Sequence, residues 1–411
     1  MKSPKCHFCF NDKMPIMVDL GHMPSANAFL LSPDKEEQSM PLTVHICNKC
    51  WLAQLLVRKP SADMFMSNYP YLSSQSPANV VHAKEYVDMI YRRLGLGKNS
   101  HVIEIGSNDG YMLQWFKKLG VPCVGYEPVK DIAAHAIMNG IDTLIQFFNE
   151  DTVGLTKQAD LICGINVLAH QPHVISFVQA MAKALKPDGV ITMEFPHLMN
   201  LIDKNQFDTI YHEHYYYFSL KSIKNIFSLA GLIIFDVEEL PEHGGSLRIY
   251  AQHIMTGRYD TTNMVRGLMI TEESKGMFSE QYYKDFRGRV TNLRNEIRET
   301  LVGLNKTEKI YKQEYPVVAY GAAAKANTLF NSCGITKDIV KYIVDRSPYK
   351  QGLYLPQSHI PVVSEDKLKE SHPSFVLITA WNLKEEIMEQ LDYIRDWGGH
   401  FIIPIPELEV S

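Results

Sequence analysis

The feature that most constrains the fold is a repeated strand–turn–helix pattern, which begins at 101-HVIEIGSNDGYML-113. The short β-branched run VIEI reads as a buried strand, Gly106 ends it, and Gly110 opens an amphipathic helix through MLQWFKKL. A second strand follows as 122-PCVGYEP-128 and carries an acid, Glu127, at its end. The segments AAHAIMNG, DTLIQF, ADLICGINV, a helix over about 173–186, and GVITMEF continue the alternation. Alternating βα units predict a parallel, doubly wound sheet that places ligands at the carboxyl ends of its strands. The turn does not match the G-x-G-x-x-G spacing of dinucleotide folds, so an ordinary NAD-binding core is the weaker reading.

A chain of 411 residues exceeds one ordinary core, and an α/β fold in three modules is expected: a small metal-binding module with a lid loop at 1–85 and α/β modules at 86–255 and 256–411. The last one holds a second, smaller α/β pattern. Residues 272–312 are charged and read as a long connecting helix. Then 316-PVVAYG-321 feeds the helix start 322-AAAKANTLFN-331, and 340-VKYIVD-345, FVLIT, a helix from Leu383, and GGHFIIPIP follow. Helix N-termini favour anions, which makes Lys325 a candidate for gripping a diphosphate; the alternative is a structural lysine. The module reads as a degenerate, Rossmann-like dinucleotide fold without a cofactor of its own.

The amino-terminal module carries Cys6-x-x-Cys9 and Cys47-x-x-Cys50, four of the chain's seven cysteines. Two residues between thiolates let both sulfurs face one ion, and zinc takes four such ligands in a tetrahedron. His7, His22 and His45 lie near enough in sequence to replace a ligand. A closed four-thiolate site leaves no open position for substrate, so the expected role of the zinc is structural. Downstream, 65-FMSNYPYLSSQSP-77 reads either as a surface loop or as a lid that brings Tyr69 and Tyr71 over a site.

The stretch 207-FDTIYHEHYYYFSL-220 mixes six aromatics with Asp208, His212, Glu213 and His214. An unpartnered buried polar group costs roughly 1–3 kcal/mol, so an ordinary core avoids this mixture. A pocket that excludes water and moves a proton needs both kinds of residue. A metal-binding reading of the H-E-H triplet fails, because adjacent residues project apart and the H-E-x-x-H helical spacing is absent. Another candidate stretch, 241-PEHGGSLRIY-250, pairs a glycine turn with a strand; His243 and Arg248 are its candidate substrate contacts. The net charge of −5 and the lack of a basic stripe argue against nucleic acid as a partner. No apolar run reaches the roughly 18 residues of a membrane span, and MKSPKCHFCF lacks a signal peptide's apolar stretch, so no membrane contact and a cytoplasmic location are expected.

The E-I-G-S-N-D-G turn resembles the first motif of class I S-adenosylmethionine-dependent methyltransferases. That resemblance implies that Gly106 and Asn108 approach the aminoacyl part of the methyl donor, with Glu104 and Asp109 offering carboxylates to its cationic groups. It also implies that Glu127, about 20 residues further on, accepts the ribose hydroxyls, that Phe147 and Phe148 flank the adenine, and that Asn166 lies beside the methyl donor. The segments EIGSNDGYML, NVLAH, FDTIYHEHYYYFSL, HGGSLRIY and YGAAAKANTL, with the paired Cys-x-x-Cys motifs, resemble the nucleotide-sugar C-methyltransferase family over nearly the whole chain.

Members of that family join a zinc domain, a central S-adenosylmethionine domain and a Rossmann-like carboxyl-terminal domain. They methylate the carbon, here expected to be carbon 3, next to the ketone of a nucleoside-diphosphate 4-keto deoxysugar. By that resemblance Tyr211, Glu213, His214 and His170 are the active-site set, with Tyr69 or Tyr71 reaching in from the lid. The chemistry agrees: a carbanion beside a ketone requires a base of near-neutral pKa and donors to the enolate oxygen. His214 is the expected base, Tyr211 the donor to the oxygen, and Glu213 a holder of substrate or a tuner of an imidazole. His212 is read as a packed structural histidine and left outside the set. An O- or N-methyltransferase acting on a small molecule is the alternative, and it would need no proton abstraction from carbon. Departures from the family pattern, where glycine is usual at Ala326 and frequent at Gln357, bear on how closely any ligand lies on the carboxyl-terminal turn.

Overall fold

The computed structural model describes residues 5–64, 72–310, 314 and 316–411. Tyr69 and Tyr71 lie outside the described residues.

The strands run in chain order as β1 (Ile16–Met23), β2 (Met40–Ile46) and β3 (Ala53–Leu55) in the amino-terminal module. Next come β4 (Val102–Ile105), β5 (Cys123–Tyr126), β6 (Thr143–Leu144), β7 (Ala159–Ile165) and β8 (Leu185–Pro196). β9 (Tyr216–Tyr217), β10 (Leu232–Leu240) and β11 (Ser246–His253) follow. The carboxyl-terminal strands are β12 (Val317–Tyr320), β13 (Ile343–Val344), β14 (Val362–Val363), β15 (Phe375–Ile378), β16 (His400–Ile403) and β17 (Glu409–Val410).

Three sheets result. The central one has the order β10-β11-β8-β7-β4-β5-β6. Its five strands from β4 to β8 are parallel, as the βα alternation predicts, and all four residues of β4 are buried, as a strand covered on both faces must be. β11 and β10 instead add to β8 antiparallel, so the sheet is mixed rather than wholly parallel. A short turn connects β10 to β11, and a turn that short permits only a hairpin. The carboxyl-terminal sheet, ordered β14-β13-β12-β15-β16-β17, is parallel except for β17. The amino-terminal sheet is antiparallel, β1-β2-β3-β9, and its last strand comes from the stretch 207–220 rather than from its own module.

The connecting helix expected over 272–312 is two helices, Asn263–Ser274 and Glu280–Ile310, with Gly276 at φ +80° between them. The helix Pro77–Leu94 begins with Pro77 after the Ser76 cap and stops at Gly95 in the left-handed region; the expected boundary at residue 85 falls within it. The buried apolar core is continuous through all three modules, from Leu42 and Val44 through Ile103 and Phe195 to Val318 and Ile402. Among the described residues, no helix is long and apolar enough to cross a membrane.

Candidate active site

A cleft of about 360 Å³ opens at the carboxyl ends of the central strands, with walls from every module: Asn27 from the first, Gly106 and His214 from the second, Lys325 and Lys350 from the third.

One end is built by the turn after β4. Gly106 sits at φ +69°, where an added Cβ would come within 3.2 Å of Val167 Cγ2, so only glycine fits the turn without strain. Asn108, also left-handed at φ +49°, donates its N–H to Glu127 Oε2 at 3.1 Å, and Val129 N–H donates to Glu127 Oε1 at 2.8 Å. Burial raises the Glu127 pKa to about 7 in spite of those two donors. Beneath the turn, Glu104 is fully buried and its pKa is pushed well up by burial, then by the Asp109 and Glu127 carboxylates.

Glu104 Oε2 and Asp109 Oδ1 are buried without a hydrogen-bond partner among the described residues. Burial holds Glu104 in its protonated form, and neither Glu104 nor Asp109 lines the cleft, so the expected contact of these two carboxylates with the donor's cationic groups is not found at the cleft surface. Phe148 packs edge-on against Tyr126 at 5.0 Å, and both line the cleft together with Phe147. Gly106, Asn108, Glu127, Phe148 and Asn166 line the cleft; Glu104 and Asp109 sit behind the turn, where Asp109 Oδ2 accepts the Ser74 N–H at 3.2 Å.

The opposite wall is the aromatic–ionisable stretch, whose residues 212–220 are all buried. Tyr211 and His214 line the cleft with their rings 4.0 Å apart, and the His170 ring is 4.8 Å from His214. His214 Nδ1–H donates to the Thr209 carbonyl at 3.2 Å, which leaves Nε2 as the lone-pair nitrogen. Burial lowers the His214 pKa well below 6.5, beneath the near-neutral value expected of the base, and the neighbouring His170 adds to this, so the imidazole is neutral. His170 also lines the cleft, and burial lowers its pKa to about 4.

Glu213 is buried off the cleft. Its Oε1 accepts from Asn27 Nδ2 at 3.3 Å, and its backbone carbonyl accepts His170 Nδ1–H at 2.7 Å. Glu213 therefore orients an imidazole through its main chain, while burial raises its own carboxyl pKa. His212 does not line the cleft.

The turn 241–245 closes the site from the side. His243 takes φ +55°, and its Nε2 accepts from Asn166 Nδ2 at 2.9 Å. Gly244 has no room for a Cβ, which would meet Trp381 Cη2 at 2.6 Å. Arg248 is placed differently from the sequence reading. Its guanidinium pairs with Glu194 at 2.9 Å and Glu238 at 2.8 Å, it is buried, and it does not line the cleft. It anchors Glu194, which faces the cleft, instead of offering a cation to it. His82 completes this group between Glu194 at 2.9 Å and Glu242 at 3.0 Å; burial pulls its pKa down, but the two carboxylates outweigh that and raise it.

His82 carries no local motif and was not legible in the sequence, whereas Glu242 lies in the stretch 241–250 beside His243 and was passed over. Glu194 ends the GVITMEF strand, a position at which this fold presents residues to ligands, so that signal was there to read. From the third module, Lys325 reaches the cleft over the Trp381 ring at 4.4 Å, bonded to Asn382. Burial lowers its pKa to about 8, against the opposing pull of Asp208.

Away from the cleft, the four cysteine sulfurs lie within 4.8 Å of one another, with Cys6–Cys50 at 3.6 Å and Cys9–Cys47 at 3.5 Å. Four thiolates about 2.3 Å from a tetrahedral ion would be about 3.8 Å apart. The sulfurs also receive N–H donors, from Phe8 and Lys49 at 3.4 Å each. Cys6, Cys9, Cys47 and Cys50 thus fit zinc, and none of the histidines considered for a ligand role joins the cluster.

Three family models match in register with these parts: a zinc binding domain over residues 6–65, a methyltransferase domain over 81–236, and a C-methyltransferase C-terminal domain over 241–406. The C-methyltransferase NovU of Streptomyces niveus is 32% identical over 413 residues, spanning 99% of this chain and 96% of NovU. The chain belongs to this C-methyltransferase family. It is an S-adenosylmethionine-dependent C-methyltransferase with a zinc-binding amino-terminal module.

A ubiquinone biosynthesis O-methyltransferase of Actinobacillus pleuropneumoniae is 27% identical over 100 residues, 22% of this C-methyltransferase and 43% of that protein. Among solved structures, an S-adenosylmethionine-dependent methyltransferase from Mesorhizobium loti aligns at 15% identity and TM-score 0.35, covering 42% of this chain and 99% of that one. Magnesium protoporphyrin IX methyltransferase from Synechocystis, with bound S-adenosylmethionine, aligns at 15% identity and TM-score 0.33, covering 42% and 80%.

Proposed function

We propose that this C-methyltransferase acts on a nucleoside-diphosphate 4-keto deoxysugar, at carbon 3 beside the ketone, in the biosynthesis of an unusual sugar. The observation that carries this reading is the neutral, cleft-lining His214, with its Nδ1–H held by Thr209 and the Tyr211 ring tilted against it at 4.0 Å. Bound S-adenosylmethionine supplies an electrophilic methyl group at the turn after β4. His214 Nε2 would take the proton from carbon 3 while the Tyr211 hydroxyl donates to the ketone oxygen as it gains charge; the carbanion's electron pair would then form the bond to the methyl carbon as that carbon's bond to sulfur breaks, and the donor would leave as the neutral thioether S-adenosylhomocysteine. His170, held by the Glu213 carbonyl, packs against the base and keeps its ring in place. Lys325, a cation on the third module facing the same cleft, meets the diphosphate. NovU, a C-methyltransferase by name, supports the class of reaction, and the substrate follows from the site chemistry and the family resemblance.

The test is incubation with S-adenosylmethionine and a panel of 4-keto sugar nucleotides in heavy water. A mass gain of one methylene is expected with a keto sugar nucleotide, together with histidine-dependent exchange of the carbon 3 hydrogen in the absence of the methyl donor. Methylation of a hydroxyl or amine without that exchange would establish the O- or N-methyltransferase alternative instead.

A further inference from the structure

The four-cysteine site and the segment carrying Tyr211 and His214 belong to one sheet. β9 pairs with β3, Ala53 opposite Tyr217 and Gln54 opposite Tyr216, and Leu55 N–H donates to the Tyr215 carbonyl at 2.9 Å. Gln54 is 0% exposed, and its side chain turns to the metal site. Its Nε2 donates to Cys6 Sγ at 3.2 Å, and its Oε1 accepts the His7 N–H at 2.9 Å. One residue thus touches a zinc ligand through its side chain and sits in register with the catalytic segment through its backbone. The residues that follow extend the grip: Tyr215 Oη donates to the Lys59 carbonyl at 2.7 Å, and Arg58 Nη1 donates to Tyr216 Oη at 3.0 Å. On its other side Tyr215 N–H donates to the carbonyl of Ala169, the neighbour of His170, at 2.8 Å.

We propose that Gln54 is a positioning residue that carries the geometry of the zinc–thiolate knuckle to the catalytic segment, so that the bound zinc fixes where Tyr211 and His214 stand. The reason is physical. β9 is two residues long and cannot hold its register alone, because short isolated strand pairs are marginal in water. The partner strand β3 is three residues long; β2 holds its backbone on the far edge, His45 opposite Gln54, and the side chain of Gln54 adds the tie to Cys6 and the His7 N–H. An N–H donor to a metal thiolate orients both partners, and loss of such outer contacts typically lowers metal affinity about 10- to 100-fold. The inference rests on the reading of Tyr211 and His214 as catalytic.

The test uses the full-length zinc-loaded chain and Gln54→Leu. Expected are zinc transfer to a chromophoric chelator at an affinity about 10- to 100-fold weaker, a fall in kcat, and an unchanged dissociation constant for S-adenosylmethionine. Looser zinc with wild-type kcat would overturn the proposal, as would unchanged zinc affinity. Should Gln54→Leu fail to fold, hydrogen exchange of the wild-type chain before and after zinc chelation decides. Residues 211–217 should gain exchange while 102–105 and 317–320 keep their protection. Undiminished protection of 211–217, or equal loss of protection everywhere, would overturn the coupling. If zinc-dependent protection of 211–217 appears but His214 variants keep full turnover, the coupling stands and the catalytic reading of His214 fails.

Discussion

As the proposed base, His214 would owe its chemistry to where it is buried. In water an imidazole near pH 6 is largely protonated and cannot accept a proton from carbon. In the cleft, desolvation and the nearby His170 hold it neutral to well below 6.5, and the Thr209 carbonyl selects the tautomer that leaves Nε2 able to accept. Loss of a general base lowers turnover by about 10²- to 10⁴-fold. His214→Asn should therefore lose kcat by that order while calorimetry shows S-adenosylmethionine binding as in the wild type, since Glu127 and the Gly106 turn lie on the other wall. Turnover close to wild type would remove His214 from the role.

The sign of the pH dependence follows from the same burial. A histidine with a lowered pKa is active above that pKa and is switched off by protonation below it. The acid limb of kcat/KM should therefore lie below pH 6.5, the ordinary histidine value. An acid limb centred above 6.5 would point to a different base. His170 at about 4 and His243 at about 4, both lowered first by burial, stay neutral across the same range and add no limb above it.

At the scale of elements, what the sequence disclosed was local, and what it withheld was long-range. The strands β4, β5, β7 and β8 and the helix after the glycine turn are written in short runs of β-branched residues and their glycine stops, so periodicity finds them. The pairing of Tyr216–Tyr217 with a strand more than a hundred residues earlier leaves no local trace. The β10–β11 hairpin is local, written in its short glycine turn, but its antiparallel addition to β8 leaves no such trace, since alternation looks alike in either direction. The same reason hid Arg248's partners: its identity suggests a phosphate, but Glu194 and Glu238 reach it only through the register of β8, β11 and β10.

Glu272 is another such case. It lies fully buried on the helix Asn263–Ser274 and caps a different helix, Leu220–Leu229, accepting the N–H groups of Leu220 and of Lys221 at 3.0 Å, with His197 Nε2 at 2.8 Å. A carboxylate at a helix N-terminus satisfies donors that have no partner within the helix. Glu272→Ala strands two buried donors and a half-buried one and should destabilise the chain by about 3–5 kcal/mol, read as a drop in the urea midpoint at an unchanged slope. A loss under about 1 kcal/mol, the scale of an ordinary surface contact, would show that the cap is dispensable.

At the scale of the whole molecule, the cleft exists only because three modules pack on one continuous core, and under the proposed function this arrangement divides the labour between two ligands. The turn after β4 belongs to the second module alone, whereas Lys325 belongs to the third and faces the cleft across the Asp208–Trp381 hydrogen bond of 2.7 Å. Burial raises the Asp208 pKa to about 6 and Lys325 lowers it, so near neutrality the two groups hold opposite charges. Burial also brings the Lys325 pKa down to about 8, within reach of ordinary assay conditions. A lysine is cationic below its pKa and neutral above it. If Lys325 meets a diphosphate, kcat/KM for the sugar nucleotide must fall as pH rises through about 8. The dissociation constant of S-adenosylmethionine, proposed to bind at the other end of the cleft where Glu127 has a pKa of about 7, should follow the same pH curve in wild type and in Lys325→Met. Lys325→Met should remove this basic limb and raise KM for the sugar nucleotide at pH 7, with donor binding unchanged. A basic limb that survives in Lys325→Met would assign the titration to another group and leave Lys325 as a structural partner of Asp208 and Trp381.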